Sequence, residues 1–210
     1  MYTPKPFAFP ADHPEAAQAV MTENPFAAMI ITGTAEVEAV HIPFLFDPKG
    51  GDHGTLRAHV ARANPIWQQF GDAPALVIFW GPHAYISPDW YASEGLVPTW
   101  NYVAVHAYGI PHIVEDPDQV AAMLGDLSAA SEQSLAPKPP WTMDRVPQDQ
   151  RLALMRGIVA FEIPITRIEA KQKLSQNRRP EDVAGVVAGL RTTGGVYDAT
   201  VADLMEKTGR

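Results

Sequence analysis

The chain has 210 residues, of which 46% are hydrophobic and 19% charged, and its formal net charge at pH 7 is −8. A chain of this length buries about 70% of the surface that it exposes when unfolded, which is enough for one full-sized domain. The absence of cysteine excludes disulfides, thiolate metal sites and cysteine nucleophiles. The negative charge opposes the counterion release that drives binding to nucleic acid, so direct DNA binding would need a local basic patch.

The sequence also lacks the signals of several common classes of protein. No segment resembles a signal peptide or reaches the roughly 18–20 apolar residues of a membrane span. We therefore expect a soluble, cytoplasmic protein without a membrane partner. No GxGxxG, Walker, GxSxG or HExxH motif occurs, so NTPases, nucleotide-fold dehydrogenases, serine hydrolases and zinc peptidases have no support. No metal site and no catalytic nucleophile is assigned.

Strand patterns dominate the first half of the chain. An apolar run at 26–32 and an alternating segment at 37–46 both predict strands. A stretch of turn composition follows, DPKGGDHG, and residues 55–60 alternate after it, with Arg57 and His59 on the polar side. These segments predict a hairpin that carries polar and ionisable side chains on one face.

The next strands carry many of the aromatic residues. Eight of the nineteen Phe, Tyr and Trp side chains lie between Phe79 and Tyr108. Residues 74–80 are apolar throughout, as in a central strand, and turns are predicted at 81–83 and 87–89. Residues 99–110 alternate, and one face of that strand is formed by Trp100, Tyr102, His106 and Tyr108. We expect the sheet to close on itself or to pack on a partner.

Helices are predicted on both sides of a last strand. Asp116-Pro117 supplies an N-cap and a first-turn proline for an amphipathic helix, and a short helix is predicted at about 148–156 after a Pro- and Ser-rich loop. Residues 158–168 return to strand, where Pro164 requires an edge position or a bulge. The apolar stripe at 183–190 and the segment near 199–207 predict two more helices. We expect a single domain, residues 1–210, with a C-terminal helical extension from about 179 to 210.

The segment HVARANP at 59–65 is a candidate phosphate site. His59 and Arg62 follow a strand, and Asn64 precedes a helix that begins at Pro65. A helix N-terminus offers free N–H groups and partial positive charge, and a nearby arginine adds a bidentate fork. The alternative is that Asn64 is only a helix cap and Arg62 only a surface charge.

The other two candidates are a basic segment and the aromatic run. In KQKLSQNRR at 171–179, amide and hydroxyl side chains among the bases suit hydrogen bonds to a polar ligand, although a solvated strand end has the same composition. The aromatic run suits a planar ligand or a wide symmetric interface, and core filling is the competing explanation. His41, on a strand near Pro43, is equally explained as a hydrogen-bonded structural histidine.

Seven collinear segments resemble the PaiB family of FMN-binding negative transcriptional regulators. The match runs from near residue 1 to about 190, and its segments are MYTPKPF, NPFA, AVHIPFLFD, HVARANP, ALVIFWGPHAYISPDWY, VPTWNYVAVHAYG and KLSQNR. The resemblance implies an α+β, mainly β fold, the FMN-binding split β-barrel with flanking and C-terminal helices. It also implies a homodimer with FMN at the subunit interface.

The resemblance further implies which residues contact FMN. The phosphate would lie after the third strand, the strand around His41 would run along the isoalloxazine ring, and the later strand and the C-terminal segment would approach it. The predicted cofactor-binding residues are His41, Arg57, His59, Arg62, Asn64, Trp100, Asn101, Lys173, Ser175, Gln176 and Asn177.

Two functions remain open on this fold. One is a negative transcriptional regulator that senses a flavin or redox ligand; the alternative is a flavin-dependent oxidoreductase or haem-handling enzyme, with haem as the alternative cofactor. A cofactor-free interaction module is a third possibility. The acidic charge and the lack of a helix-turn-helix pattern disfavour direct DNA binding, for which 171–179 is the one candidate patch.

Overall fold

The computed structural model describes residues 1–9, 13–32 and 36–208, which form two compact units. The sheet unit comprises Met21–Phe79 and His106–Ile168, and the terminal unit comprises Met1–Val20, Trp80–Val105 and Glu169–Arg210. Both units combine segments that are distant in sequence. The division into one domain with an extension from about residue 179 stays a prediction. None of the helices described has the length and apolar character of a membrane span.

Eight strands form one sheet. They are β1 (Phe26–Thr32), β2 (Val37–Pro43), β3 (Leu45–Asp47), β4 (Thr55–Ala61), β5 (Ala75–Ile86), β6 (Thr99–Gly109), β7 (His112–Ile113) and β8 (Ile158–Lys173). Their order is β2-β1-β5-β6-β8-β4-β3, with β7 paired to β8. All eight contribute residues to the sheet unit, and β5, β6 and β8 also contribute residues to the terminal unit.

Within the sheet unit, β2 packs against β4 although the two strands are far apart in the strand order. This contact is what a sheet that closes on itself requires, as we expected. The enclosed core is aromatic: the ring centroids of Phe44 lie 6.0 Å from Phe79 and 6.3 Å from Phe161, and Phe70 lies 4.6 Å from Phe161. Such tilted and edge-to-face contacts stabilise the core beyond the area that they bury.

The predicted hairpin is present as β3 and β4, which pair antiparallel from Leu45↔Arg57 to Asp47↔Thr55. The strand predicted at 37–46 is instead divided into β2 and β3, with Phe44 between them. The N–H of Phe44 donates to the carbonyl of Pro25 at 2.8 Å, and its ring is buried. The interruption therefore directs one aromatic ring into the core.

The turn predicted at 81–83 is wrong, because β5 continues to Ile86. The alternation of buried and exposed side chains shifts by one residue at Pro82 and His83. The strand is therefore locally irregular at the proline, as at a β-bulge, but does not end there. The turn predicted at 87–89 is confirmed: a short 3-10 turn spans Pro88–Trp90, and the Ser87 hydroxyl caps it.

Pro164 lies inside β8, which is not an edge strand, since it has β6 and β4 as neighbours. The ladder with β4 ends at this proline, where Pro164 is opposite Thr55, the first residue of β4. The position that lacks an N–H therefore falls where the pairing of β8 with β4 ends. Pro164 does not lie on an edge strand, as we had expected, but at the end of this ladder.

Five helices accompany the sheet: α1 (Pro14–Glu23), α2 (Pro117–Gln133), α3 (Gln148–Arg156), α4 (Pro180–Thr192) and α5 (Asp198–Thr208). The last four confirm the predicted helices, and α1 was not predicted. Asp116 caps α2 by accepting from the N–H groups of Asp118 and Gln119 at 2.8 and 3.1 Å. In the sheet unit α2 packs on β3 and β4.

In the terminal unit α4 and α5 pack on each other and share a core with Ile86, Tyr91 and Leu174. Two glycines of α4 leave room for Trp90. A Cβ atom at Gly185 would lie 2.0 Å from the Trp90 carbonyl oxygen, and one at Gly189 would lie 2.4 Å from the Trp90 ring. The close approach of Trp90 to α4 therefore requires glycine.

Candidate functional site

An aromatic face lies on the terminal unit, formed by Trp80, His83, Tyr85, Trp100 and Tyr197. The exposed fractions of Trp80, Tyr85 and Trp100 are 63%, 47% and 53%. The ring centroid of Trp100 lies 6.0 Å from Tyr85 and 6.3 Å from His83, and His83 lies 5.0 Å from Tyr197. Because rings this exposed do not fill a core, the face is suited to stacking on a planar ligand or to an interface with another chain.

Two lysines of β8 contact β6, the strand that carries Trp100. The Lys173 ammonium donates to the Trp100 carbonyl at 2.7 Å and also to the Thr99 hydroxyl. Lys171 is only 8% exposed; its ammonium donates to the Tyr2 carbonyl at 3.2 Å and lies 5.2 Å from the Tyr102 ring centroid.

These lysines form an uncompensated positive site. Among the described residues, no carboxylate is ion-paired with Lys171 or Lys173. Burial, with the charges of Lys171 and Arg178, lowers the pKa of the Lys173 ammonium. A bound anion would offset the repulsion among the three cations, so the arrangement favours an anionic ligand.

Asn101 and Ser175, both predicted as cofactor contacts, are buried, and their contact with a cofactor stays a prediction. Their exposed fractions are 0% and 4%, and the Asn101 amide donates to the Ser175 hydroxyl at 3.0 Å and to the Met205 sulfur at 3.3 Å. The backbone φ of Ser175 is +64°, in the left-handed region that costs a non-glycine residue energy. This pair joins β6, the end of β8 and α5, so it positions the neighbouring strands.

Gln176 and Asn177 differ in how free their side chains are. The Gln176 side chain accepts from the Leu174 N–H at 2.8 Å and donates to the Gln172 carbonyl at 2.6 Å, so it closes the turn after β8. Asn177 is exposed and lines a cavity of about 640 Å³ with Arg178 and Arg179.

In the sheet unit, Arg57 and His41 occupy different settings. The Arg57 guanidinium lies 3.0 Å from the Asp47 carboxylate and 3.9 Å from the Glu162 carboxylate, so its charge is already balanced. His41 is exposed and stacks on Phe26 at 6.5 Å between ring centroids. The use of either side chain by a cofactor stays a prediction.

Arg62 and Asn64 mainly stabilise the backbone around β4. Asn64 caps the following segment by accepting from the Ile66 N–H at 3.1 Å, but that segment, Pro65–Gln69, is a 3-10 helix of five residues rather than the α-helix that we expected. Its dipole is correspondingly weak. Arg62 donates to the carbonyls of Arg156 and Ile158, both at 2.8 Å.

His59 lines a small cavity of about 300 Å³ in the sheet unit, together with Leu124, Leu127 and Trp141. Its Nδ1 atom is buried and has no hydrogen-bond partner among the described residues. Burial lowers the pKa of the His59 imidazole, which favours the neutral ring. A neutral imidazole lacks the positive charge that holds a phosphate.

The lowered pKa of His59 predicts a pH effect on stability. The unfolded chain, with an ordinary histidine pKa of about 6.5, binds this proton more readily than the folded protein, so folding stability should fall as pH drops below that value. His59→Gln should reduce the loss of stability between pH 7.5 and 5.5, measured as the urea midpoint. His53→Gln, at an exposed position, is the control; equal pH profiles for wild type and His59→Gln would contradict the prediction.

Sequence reasoning missed parts of the terminal-unit site. Lys171 stood in the basic segment but not among the predicted contacts, although its period-two spacing to Lys173 on a strand places both on one side. Tyr197 had no signal in the sequence, since its contact with His83 joins residues more than a hundred positions apart.

Comparison with known proteins supports a flavin-binding fold. The family model described as "Putative FMN-binding domain" matches residues 1–167. The protease synthase and sporulation protein PAI 2 of Bacillus subtilis is 36% identical over 207 residues, which cover 98% of this chain and 97% of that protein.

Two solved structures show the same fold at low sequence identity. The conserved hypothetical protein Rv2991 from Mycobacterium tuberculosis aligns with a TM-score of 0.58 at 10% identity, over 93% of this chain and 99% of that one. The FAD and heme binding protein from Mycobacterium smegmatis aligns with a TM-score of 0.55 at 17% identity, over 83% and 77%. The fold is α+β and mainly β, a split β-barrel with helices. The chain therefore belongs to the FMN-binding domain family that includes PaiB, with FMN as its cofactor.

Proposed function

We propose that Trp100, Lys171 and Lys173 hold FMN on the terminal unit. One observation carries this assignment: Lys173 contacts the backbone carbonyl of the half-exposed Trp100, and neither Lys173 nor Lys171 has a carboxylate partner in the described ranges. The ring offers a surface for the planar isoalloxazine, and the ammonium groups offer charge for its polar edge or its phosphate. Bound flavin supplies electron transfer, while the protein supplies orientation and charge.

The remaining predicted contacts have narrower roles in this proposal. Asn101, Ser175 and Gln176 position β6 and the turn after β8, because their polar atoms already bond to the protein. We further propose that the chain is a homodimer, because exposed aromatic side chains clustered on one face are typical of protein interfaces. The cofactor contacts assigned to His41, Arg57, His59, Arg62 and Asn64 stay predictions.

We propose that the protein acts as a negative transcriptional regulator of PaiB type, in which the flavin or its redox state is the signal. The name of the Bacillus subtilis relative refers to protease synthesis and sporulation, and that relative aligns with nearly the whole chain. This similarity over nearly the full length of both chains supports a regulatory function for this protein.

Direct binding to DNA is not part of the proposal. The α5 helix carries Asp198, Asp203, Glu206 and one basic residue, Lys207. Arg191 of α4 is paired with Asp203 at 2.7 Å and with Glu206 at 3.1 Å. An acidic helix would repel phosphates, so we expect regulation through contact with another protein.

Lys173→Met should weaken FMN binding by about 1.5–3 kcal/mol, roughly 10- to 150-fold, if the ammonium contacts the flavin or its phosphate. The measurement is a titration of the cofactor-free protein with FMN, followed by quenching of flavin fluorescence. Lys207→Met removes the same charge from an exposed position of α5 and should bind FMN like the wild type. Equal affinity of a folded Lys173→Met protein would remove Lys173 from the site.

Regulation is tested separately in the organism that carries the gene. Deletion should raise transcription of the regulated genes, the wild-type gene should restore repression, and the Lys173→Met gene should restore it poorly. Full restoration by a variant that has lost FMN would show that the flavin is not the signal. Turnover of reduced nicotinamide by the FMN-loaded protein, with no change in transcription on deletion, would favour the oxidoreductase alternative.

A further inference from the structure

A second cavity in the sheet unit has a volume of about 460 Å³. It is lined by the start of α2, the start of β8 and the C-terminal half of α3. Its volume falls within the range of about 300–1,000 Å³ that small-molecule sites occupy. Most of its lining is apolar. The apolar side chains include Ile113, Val120, Leu152, Met155, Ile158 and Val159.

Two arginines, Arg62 and Arg156, line the same cavity. The Arg62 guanidinium is held by its Nε and Nη2 atoms, which donate to the carbonyls of Arg156 and Ile158, and its carbon lies 5.9 Å from the Trp67 ring centroid. These two bonds fix the orientation of the guanidinium, and neither of them uses its Nη1 atom. In the described part of the chain, neither arginine is ion-paired with a carboxylate.

The acidic groups nearby do not balance both arginines. Glu115 lines the cavity, so the lining carries two positive charges and one negative charge. The carboxylate of Asp116 caps α2 and accepts from the N–H groups of Asp118 and Gln119, so those groups do not attract an anion. The arginines therefore leave the lining with a net positive charge, which favours an anionic ligand.

We propose that this cavity binds a medium-chain amphipathic carboxylate. The apolar chain would lie against the aliphatic lining, and the carboxylate would accept hydrogen bonds from the Arg156 guanidinium and from the Nη1 atom of Arg62. The site lies within the sheet unit, so it is distinct from the flavin site proposed on the terminal unit. It gives Arg62 a ligand other than the FMN phosphate.

The test uses decanoate labelled with ¹³C at its carboxyl carbon as the probe for the full-length protein. The NMR signal should show saturable binding, and the pKa of the bound carboxyl should fall because arginine stabilises the charged form. Decanol, which keeps the chain and lacks the charge, should bind at least tenfold more weakly. Equal binding of decanol and decanoate, or no saturable binding of decanoate, would overturn the proposal.

Arginine variants locate the site. Arg62→Gln and Arg156→Gln should each weaken decanoate binding roughly tenfold or more, whereas Arg151→Gln, an α3 arginine that does not line the cavity, should not. FMN affinity should be unchanged in Arg156→Gln and Arg151→Gln. Loss of FMN affinity with unchanged decanoate binding in Arg62→Gln would instead support the phosphate role and overturn the proposal.

Leu152 provides variants with little risk to folding, because its side chain is 47% exposed and lines the cavity. Leu152→Glu and Leu152→Lys remove the same apolar side chain and introduce charges of opposite sign. Decanoate should bind Leu152→Lys at least tenfold more tightly than Leu152→Glu. Equal affinities would show that the carboxylate does not lie at this cavity.

Discussion

Replacing Phe161 by alanine should lower the free energy of unfolding by about 3–5 kcal/mol, the range measured when a buried aromatic side chain is removed. Phe161 is 0% exposed, and its ring contacts both Phe44 and Phe70. The lost ring would leave a cavity that the closed sheet cannot fill by collapsing. Urea denaturation at fixed protein concentration measures the change.

Phe26→Ala is the matched control for Phe161→Ala. Phe26 also lies in a strand of the sheet unit, but it is 66% exposed, and its loss should change the free energy of unfolding by less than about 0.5 kcal/mol. A loss below 1 kcal/mol for Phe161→Ala would mean that the aromatic cluster does not form the core of this unit.

Gly185→Val should destabilise the terminal unit by about 3 kcal/mol, at the upper end of the cost of overpacking. A Cβ atom at this position meets the Trp90 carbonyl oxygen at 2.0 Å. Because that neighbour is backbone and not the end of a flexible side chain, α4 must shift. The expected result is a lower urea midpoint and faster limited proteolysis within residues 180–208.

Gly125→Val separates this packing effect from helix propensity. Gly125 lies inside α2, and no heavy atom in the described part of the chain lies within 4 Å of a Cβ atom built there. Valine forms helix slightly better than glycine, so the change in stability should be within about 0.5 kcal/mol. Equal effects of valine at positions 125 and 185 would show that Trp90 does not constrain α4.

Local sequence signals identified most helices and strands, and they failed where distant pairing decides the conformation. The Asp116-Pro117 start of α2 was readable because a cap acts within one helical turn. The strand through Pro82 was not, since Gly-Pro composition favours a turn and only the neighbouring strands hold the segment extended. The helix at Pro14–Glu23 was missed because its alanines form only a weak apolar stripe.

The candidate site was predictable in composition but not in the role of each side chain. The resemblance included Trp100 and Lys173, which the structure places in contact. It could not reveal that Asn101 and Ser175 face the interior, because burial depends on where α5 packs. The partners of Arg62 likewise lie 94 and 96 positions further along the chain, beyond the range of any local pattern.

The left-handed backbone at Ser175 sets two requirements that no single amino acid meets. Glycine adopts this conformation without strain but has no hydroxyl to accept the Asn101 amide. Asparagine tolerates the conformation better than serine, but its larger side chain would have to fit a space that is 4% exposed. Serine therefore keeps the buried hydrogen bond but strains the backbone, and other contacts in the terminal unit must offset that strain. Variation at this position in related chains should therefore be accompanied by compensating change at position 101.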